Sequence, residues 1–392
     1  MQDHAKQEPT SPAVASVATT GGHGDTANRP RPTQHQVIAV AILTVLALAG
    51  GVVIAALFGD FTMSTAGMEA SPQAGMNMDR DAASGHAMQP VNLRGVPAAA
   101  PEARGNQPLT PTIVDGVKEY RLTTSVVRWT ILPGVQVGAY AYNGQVPGPL
   151  LRVIAGDRVR VRVTNNLPEP TSVHWHGFSV PNTQDGAAGV TQPPIAPGDE
   201  FVYEYTVPNT PGTFFYHTHV AGDRQQALGL YGALIVDPAR KMPPIADQEQ
   251  IIELGEWRVT DGQTVPAMEL EGMLPNYFTI NGKSYPATET IRARVGDQLL
   301  VRFIGTGQFI HPMHIHGGPF TIVATDGFPV PRGAQLTKDT VLVGPGERYD
   351  VLWTARAPGR WLLHCHINHH ITNDGTEVDG GGGLTMVIEV SP

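Results

Sequence analysis

Val153-Ile-Ala-Gly-Asp-Arg-Val-Arg-Val161 and Arg294-Val-Gly-Asp-Gln-Leu-Leu-Val301 are two versions of one strand–turn–strand unit. In each, a Gly-Asp turn separates short runs in which apolar residues alternate with polar ones or stand in a brief apolar block, as half-buried strands require. The correspondence extends downstream. Pro211-Gly-Thr-Phe-Phe-Tyr-His217 matches Pro358-Gly-Arg-Trp-Leu-Leu-His364, and each ends in a histidine cluster. A unit repeated at this distance predicts an internal duplication: two β-sandwich domains, 108–240 and 241–392, with the boundary near residues 238–245. Asp157–Val163, Glu200–Val207 and Gln298–Phe303 read as further strands, and turns such as Pro197-Gly198-Asp199 lie between them. No long segment carries helical periodicity. The 44 Gly and 34 Pro of the 392 residues fit a turn-rich, all-β chain.

Upstream of the duplication the composition changes twice. Residues 1–36 are polar and read as a disordered tail on the cytoplasmic side. Residues 37–58 hold no charge over 22 positions, enough for a membrane-spanning helix. Arg29 and Arg31 precede that run and Asp60 follows it, which places the remainder on the extracytoplasmic side. A cleaved export signal would lead to the same side. Residues 59–107 read as a flexible linker. It holds Met63, Met68, Met76, Met78 and Met88, whose thioethers suit Cu(I), or it is a plain spacer. The net charge of −9 and the lack of any Lys/Arg cluster argue against a nucleic-acid partner. Cys365 is the single cysteine, so no intramolecular disulfide forms.

Eleven of the 15 histidines fall in four short clusters: His174-Trp-His176, His217-Thr-His219, His311-Pro-Met-His314-Ile-His316, and His364-Cys-His366-Ile-Asn-His369-His370. Side chains i and i+2 of a strand point to one face. The pairs 174/176, 217/219, 314/316 and 364/366 therefore present eight imidazoles, four per domain. That is too many for one metal ion and suits a cluster of several ions where the domains' strand ends meet. Cys365 lies between His364 and His366 and points to the opposite face. There it can join His311 and His370, and two imidazoles with one thiolate form a trigonal blue-copper site. One electron-accepting copper beside a three-copper cluster can store the four electrons that dioxygen needs to become water.

These four clusters, with Asn143-Gly-Gln-Val-Pro-Gly-Pro149 and Asp185-Gly-Ala-Ala-Gly-Val-Thr-Gln192, resemble the multicopper oxidases, laccases and metallo-oxidases together, over nearly all of 108–392. The resemblance implies two cupredoxin-like Greek-key domains. It implies a type 1 copper on His311, Cys365 and His370, and a type 2 copper on His174 and His314. The type 3 pair would sit on His176, His217 and His366 for one ion and His219, His316 and His364 for the other. Asp185 would relay protons near the type 2 copper. The two-domain length is similar to that of laccases that assemble as rings of three and build each cluster between subunits, so a homotrimer is implied. Dioxygen would be one substrate and a phenol, aromatic amine or metal ion the other. Cu(I) oxidation for copper tolerance is the alternative role.

Two positions depart from the family pattern. Gly375 stands where an axial Met, Leu or Phe is usual, inside an insertion at 372–383 that leaves Met386 as an axial candidate or the position empty. Asn368 stands where several fungal laccases carry an acid. Copper nitrite reductases place their blue-copper cysteine in the first domain, which here has none. A copper-binding protein without turnover would not explain a cysteine flanked by two oppositely directed histidines.

Overall fold

The computed structural model describes residues 89–269 and 272–392. The tail, the apolar run at 37–58 and the linker up to residue 88 lie outside the described residues. Among the described residues no helix is long and apolar enough to cross a membrane. The described chain is almost wholly β-structure, with one helical turn at Gly222–Gln225 and three 3-10 turns.

The strand Arg158–Asn165 shows why the chain folds as it does. Val159, Val161 and Val163 are buried, while Arg158, Arg160 and Arg162 turn outward to Glu119, Glu200 and Glu204. A face that alternates in this way must be covered. A sheet of Thr112–Val114, Val117–Leu132, Val135–Tyr142, Arg158–Asn165 and Glu200–Thr206 therefore packs on one of Leu151–Ile154, His174–His176, Gly212–His217 and Tyr231–Asp237. Trp175, Tyr203, Phe214 and Tyr216 fill the space between them. The second half repeats the plan. An eight-stranded sheet that includes Gln248–Thr260, Gln298–Gly305 and Arg348–Thr354 covers a five-stranded sheet of Ile291–Arg294, His311–Ile315, Thr340–Val343, Gly359–Cys365 and Thr385–Ser391.

The duplication holds at the level of register. Val117–Leu132 pairs parallel with Arg158–Asn165, as Gln248–Thr260 does with Gln298–Gly305. His174 stands opposite His217, and His314 stands opposite His364. Besides the shared apolar cluster of Trp129, Tyr231 and Trp257, two devices help to join the halves. One is an apolar patch of Leu150, Phe215, Ala233, Ile235 and Ile304. The other is a polar chain in which Arg152 reaches Asp237 and Glu249, Glu249 holds Arg302, and Arg302 and Thr213 both meet the buried Asp350.

One boundary moves. Residues 89–107, counted above with the linker, are packed against the two sandwiches. Val91 is 5% exposed and donates a backbone hydrogen bond to Thr264 at 2.8 Å. Arg128 exchanges backbone bonds with this segment, donating to the Pro97 carbonyl and accepting from the Ala99 N–H, and the Arg224 guanidinium donates to the Gln89 carbonyl at 2.7 Å. Composition alone hid this. One or two apolar side chains suffice to dock a segment whose backbone finds partners on a sheet, and such isolated residues leave no periodic signal.

Candidate metal centre

The strand ends carry the histidines as the alternation requires. In the first half the ligand nitrogens of His174, His176 and His217 lie within 4.8 Å of one another, and His176 Nδ1 is 3.2 Å from His217 Nε2. The exposed His219 ring is 5.5 Å from that of His174. In the second half His314, His316 and His364 form the matching group, with His316 Nε2 3.0 Å from His364 Nε2. There His366 lies 5.8 Å from His314, ring to ring.

The backbone sets the orientation of these rings. The Nδ1–H of His174 donates to the Asp185 carbonyl at 2.8 Å, that of His217 to the Thr218 carbonyl at 2.7 Å, that of His314 to the Asp339 carbonyl at 2.7 Å, and that of His364 to the Cys365 carbonyl at 2.8 Å. A carbonyl only accepts, so each of these rings presents the Nε2 lone pair to the site. Burial, followed by the neighbouring His174 and His176, holds His217 at about 3. Burial and the Arg348 guanidinium hold His176 at about 4. Burial likewise lowers His316 and His364. These rings are neutral at ordinary pH, the form that binds a metal.

Cys365 faces the other way, into the second core, fully buried. His311 and His370 join it there, and the three ligand atoms lie within 4.8 Å. His311 Nδ1 and His370 Nδ1 face each other at 3.1 Å, and His370 Nδ1 is 3.6 Å from Cys365 Sγ. Burial pushes the thiol up to about 12 and lowers His370 to about 3. Two opposed ring nitrogens and a soft sulfur, without a neighbouring cation, are a donor set that fits Cu in a trigonal site; a bound cation would deprotonate the thiol outright. The residues present therefore fit copper at this centre and at the imidazole groups.

All eleven ligands expected from the sequence fall in these three groups or against them. Asp185 lies beside His174, but its carbonyl makes the hydrogen bond while its carboxylate Oδ1 is 3.6 Å from Nδ1. Met386 is buried in the second core across from Leu363, whereas Met313 is the cross-strand partner of Cys365. The insertion at 372–383 folds as two tight turns and returns so that Leu384 bonds the backbones of both Cys365 and His370. Sequence reasoning missed Glu256, whose Oε1 accepts from His311 Nε2 at 2.5 Å, and Phe278, stacked on His370 at 4.1 Å. Both lie in apolar strand patterns that signal only burial. An open cleft of about 800 Å³ lies beside His314 and His316, lined by residues 314–319 and 337–340, all from the second half.

Residues 123–241 and 260–376 match two family models, each described as multicopper oxidase. The chain is similar to the Multicopper oxidase MmcO of Mycobacterium tuberculosis, 34% identical over 260 residues, covering 57% of this chain and 49% of that protein. It is similar to Laccase-2 of Oryza sativa subsp. japonica, 34% identical over 241 residues, covering 56% and 42%. It thus spans about half the length of these relatives. Among solved structures, the Blue Copper Oxidase from Nitrosomonas europaea superposes with a TM-score of 0.63 at 36% identity, over 69% of this chain and 85% of that one.

Proposed function

This chain belongs to the multicopper oxidase family, and from that premise we propose that it is a laccase-like enzyme taking single electrons from a small donor and reducing dioxygen to water. Copper, when bound, supplies the one-electron redox chemistry and the reduction of dioxygen. His311, Cys365 and His370 would hold the type 1 ion. His174 and His314 would hold the type 2 ion. His176, His217 and His366, with His219, His316 and His364, would hold the type 3 pair. The observation that carries this reading is the placement of Cys365. It closes one metal group on its own face while its sequence neighbours His364 and His366 belong to the other. Cys365 thus joins an electron-accepting centre to a dioxygen-reducing one through two peptide bonds.

The remaining roles follow from position. The carbonyls of Asp185, Thr218, Asp339 and Cys365 fix ring orientation, so the imidazoles need no rearrangement to bind. Asp185, partly exposed beside His174, is the group we assign to proton delivery, which reduction to water consumes. The donor is a phenol or aromatic amine. Cu(I) is the second reading, resting on the methionines at 63, 68, 76, 78 and 88, which lie outside the described residues. Each histidine quartet sits on its own half. We therefore read the assembly as a ring of three in which one copy's first quartet enters the cleft beside the next copy's His314 and His316. The location, on the extracytoplasmic side of a membrane, rests on the sequence of residues 29–60.

The test uses the full chain loaded with copper. An intense thiolate-to-copper band at about 600 nm, lost in Cys365→Ser, is expected together with dioxygen uptake driven by a phenol. Uptake driven by Cu(I) alone would make it a metallo-oxidase. Copper binding with no uptake from either donor would overturn the oxidase reading.

A further inference from the structure

Electrons must reach the His311/Cys365/His370 centre from outside, yet the ligands there are almost wholly buried. Cys365 and His311 are 0% exposed and His370 is 3% exposed. His311 offers no route outward, because its far nitrogen is bonded to the buried Glu256. Its exposed chain neighbour, Ile310, is aliphatic. His370 has three rings packed on it among the described residues. Phe278 and His311 are buried. The third, His369, is exposed, and it meets His370 edge to face at 4.4 Å and 78°. Phe278 also braces His369, at 5.5 Å and 77°. The two histidines share a peptide bond within the 3-10 turn Asn368–Ile371.

We infer that His369 is the entry port of this oxidase: the donor docks on its imidazole, and the electron passes through it to the His370 ring. The inference rests on the function proposed above. In the step, a phenol loses one electron and releases its hydroxyl proton to water, leaving a phenoxyl radical. The oxidised copper centre held by His311, Cys365 and His370 gains that electron. No bond forms between donor and protein. The imidazole gives a phenol both a hydrogen-bond partner and a flat ring to lie against, in contact with a ligand that is itself only 3% exposed.

Two measurements on the copper-loaded full chain test this. In the first, the holoenzyme is treated briefly with diethyl pyrocarbonate and mapped by mass spectrometry. His369 is expected to be carbethoxylated while His370 and His311 stay protected. Labelling of His370 instead would show that the ligand edge is open and would overturn the inference. In the second, His369→Ala and His369→Phe are mixed anaerobically with hydroquinone, and the bleaching of the thiolate band is timed. His369→Phe keeps the packing on Phe278 and His370 should the smaller side chain disturb the turn. The expected result is an unchanged band position and redox midpoint, unchanged reoxidation by dioxygen, and bleaching slowed about tenfold or more. Bleaching at the wild-type rate in both variants would overturn the inference. A wild-type protein with no thiolate band would fail earlier, and would remove the oxidase reading itself.

Discussion

At His311 one hydrogen bond decides which nitrogen meets a metal. Glu256 accepts from Nε2, so Nδ1 carries the lone pair that faces His370 and Cys365. A Cβ at Gly307 would stand 1.8 Å from the Glu256 carboxylate, so any larger residue there would have to displace that carboxylate. A buried carboxylate behind an imidazole makes that ligand a stronger donor and favours the oxidised ion. Glu256→Gln keeps the shape and removes the charge. The band should persist while the midpoint potential rises, by about 60 mV for each tenfold change in preference between the two oxidation states. A redox titration followed at the band reads it, and a falling or static midpoint would contradict the role. The grouping of these histidines and the cysteine was legible because metal chemistry restricts residue type and spacing together. Glu256 was not, since it sits 55 positions from His311 in a strand where burial is the only visible pattern. The buried imidazoles also carry a cost in acid. His217 and His370 stay neutral in the fold down to about 3, whereas in the unfolded chain they take up protons below 6.5. Unfolding therefore binds protons in that window. The metal-free protein should lose stability as pH falls below 6.5, each histidine contributing up to about 1.4 kcal/mol per pH unit. Thermal melts between about pH 7 and pH 5 measure it, and a flat melting temperature would exclude it.

The strand is the element that turns sequence spacing into a site. His174 and His176 share a face because a strand repeats every two residues, and the same rule sends Cys365 away from His364 and His366. That logic was readable from the chain, as was the alternation of Arg158–Asn165 that fixes which face is covered. The loops were not, because their shape depends on partners far along the sequence. The turn after Asp185 shows the dependence. Gly186 has φ +85°, and a Cβ there would stand 1.8 Å from the Val173 carbonyl, just ahead of the strand His174–His176. This contact brings the Asp185 carbonyl onto His174 Nδ1. Gly186→Ala must push the loop off the strand. The expected loss is about 1–3 kcal/mol of stability, with weaker copper retention at His174. Copper-to-protein ratios after dialysis, alongside a denaturant melt, check both. A variant that melted and held copper like the wild type would show that the loop does not position this ring. The insertion at 372–383 was visible as a break in the family pattern. Its outcome, a return that delivers Leu384 to the backbones of Cys365 and His370, depends on hydrogen bonds that no local motif encodes.

Over the whole molecule, the duplication sets a problem that a single copy does not solve by register alone. Each half carries one quartet on equivalent strands, His174 across from His217 and His314 across from His364. The polar chain from Arg152 to Asp350 and the patch around Phe215 and Ile304 hold the halves together elsewhere. The cleft beside His314 and His316 is walled by the second half only. A head-to-tail ring brings each first quartet to a neighbour's second quartet and closes on itself, leaving no unfilled half-site. The proposal separates cleanly from a cluster built within one chain. One variant carries His176→Ala and His217→Ala, and a second carries His316→Ala and His364→Ala. Each alone lacks two of the eight imidazoles of every cluster and should consume no dioxygen. Co-expressed in equal amounts, the two place an intact first quartet against an intact second quartet at about one interface in four, by random assembly around a ring. Dioxygen uptake should therefore return to about a quarter of the wild-type rate per copy. No return of uptake, in assemblies shown by native mass spectrometry to contain both variants, would mean that each chain completes its own cluster.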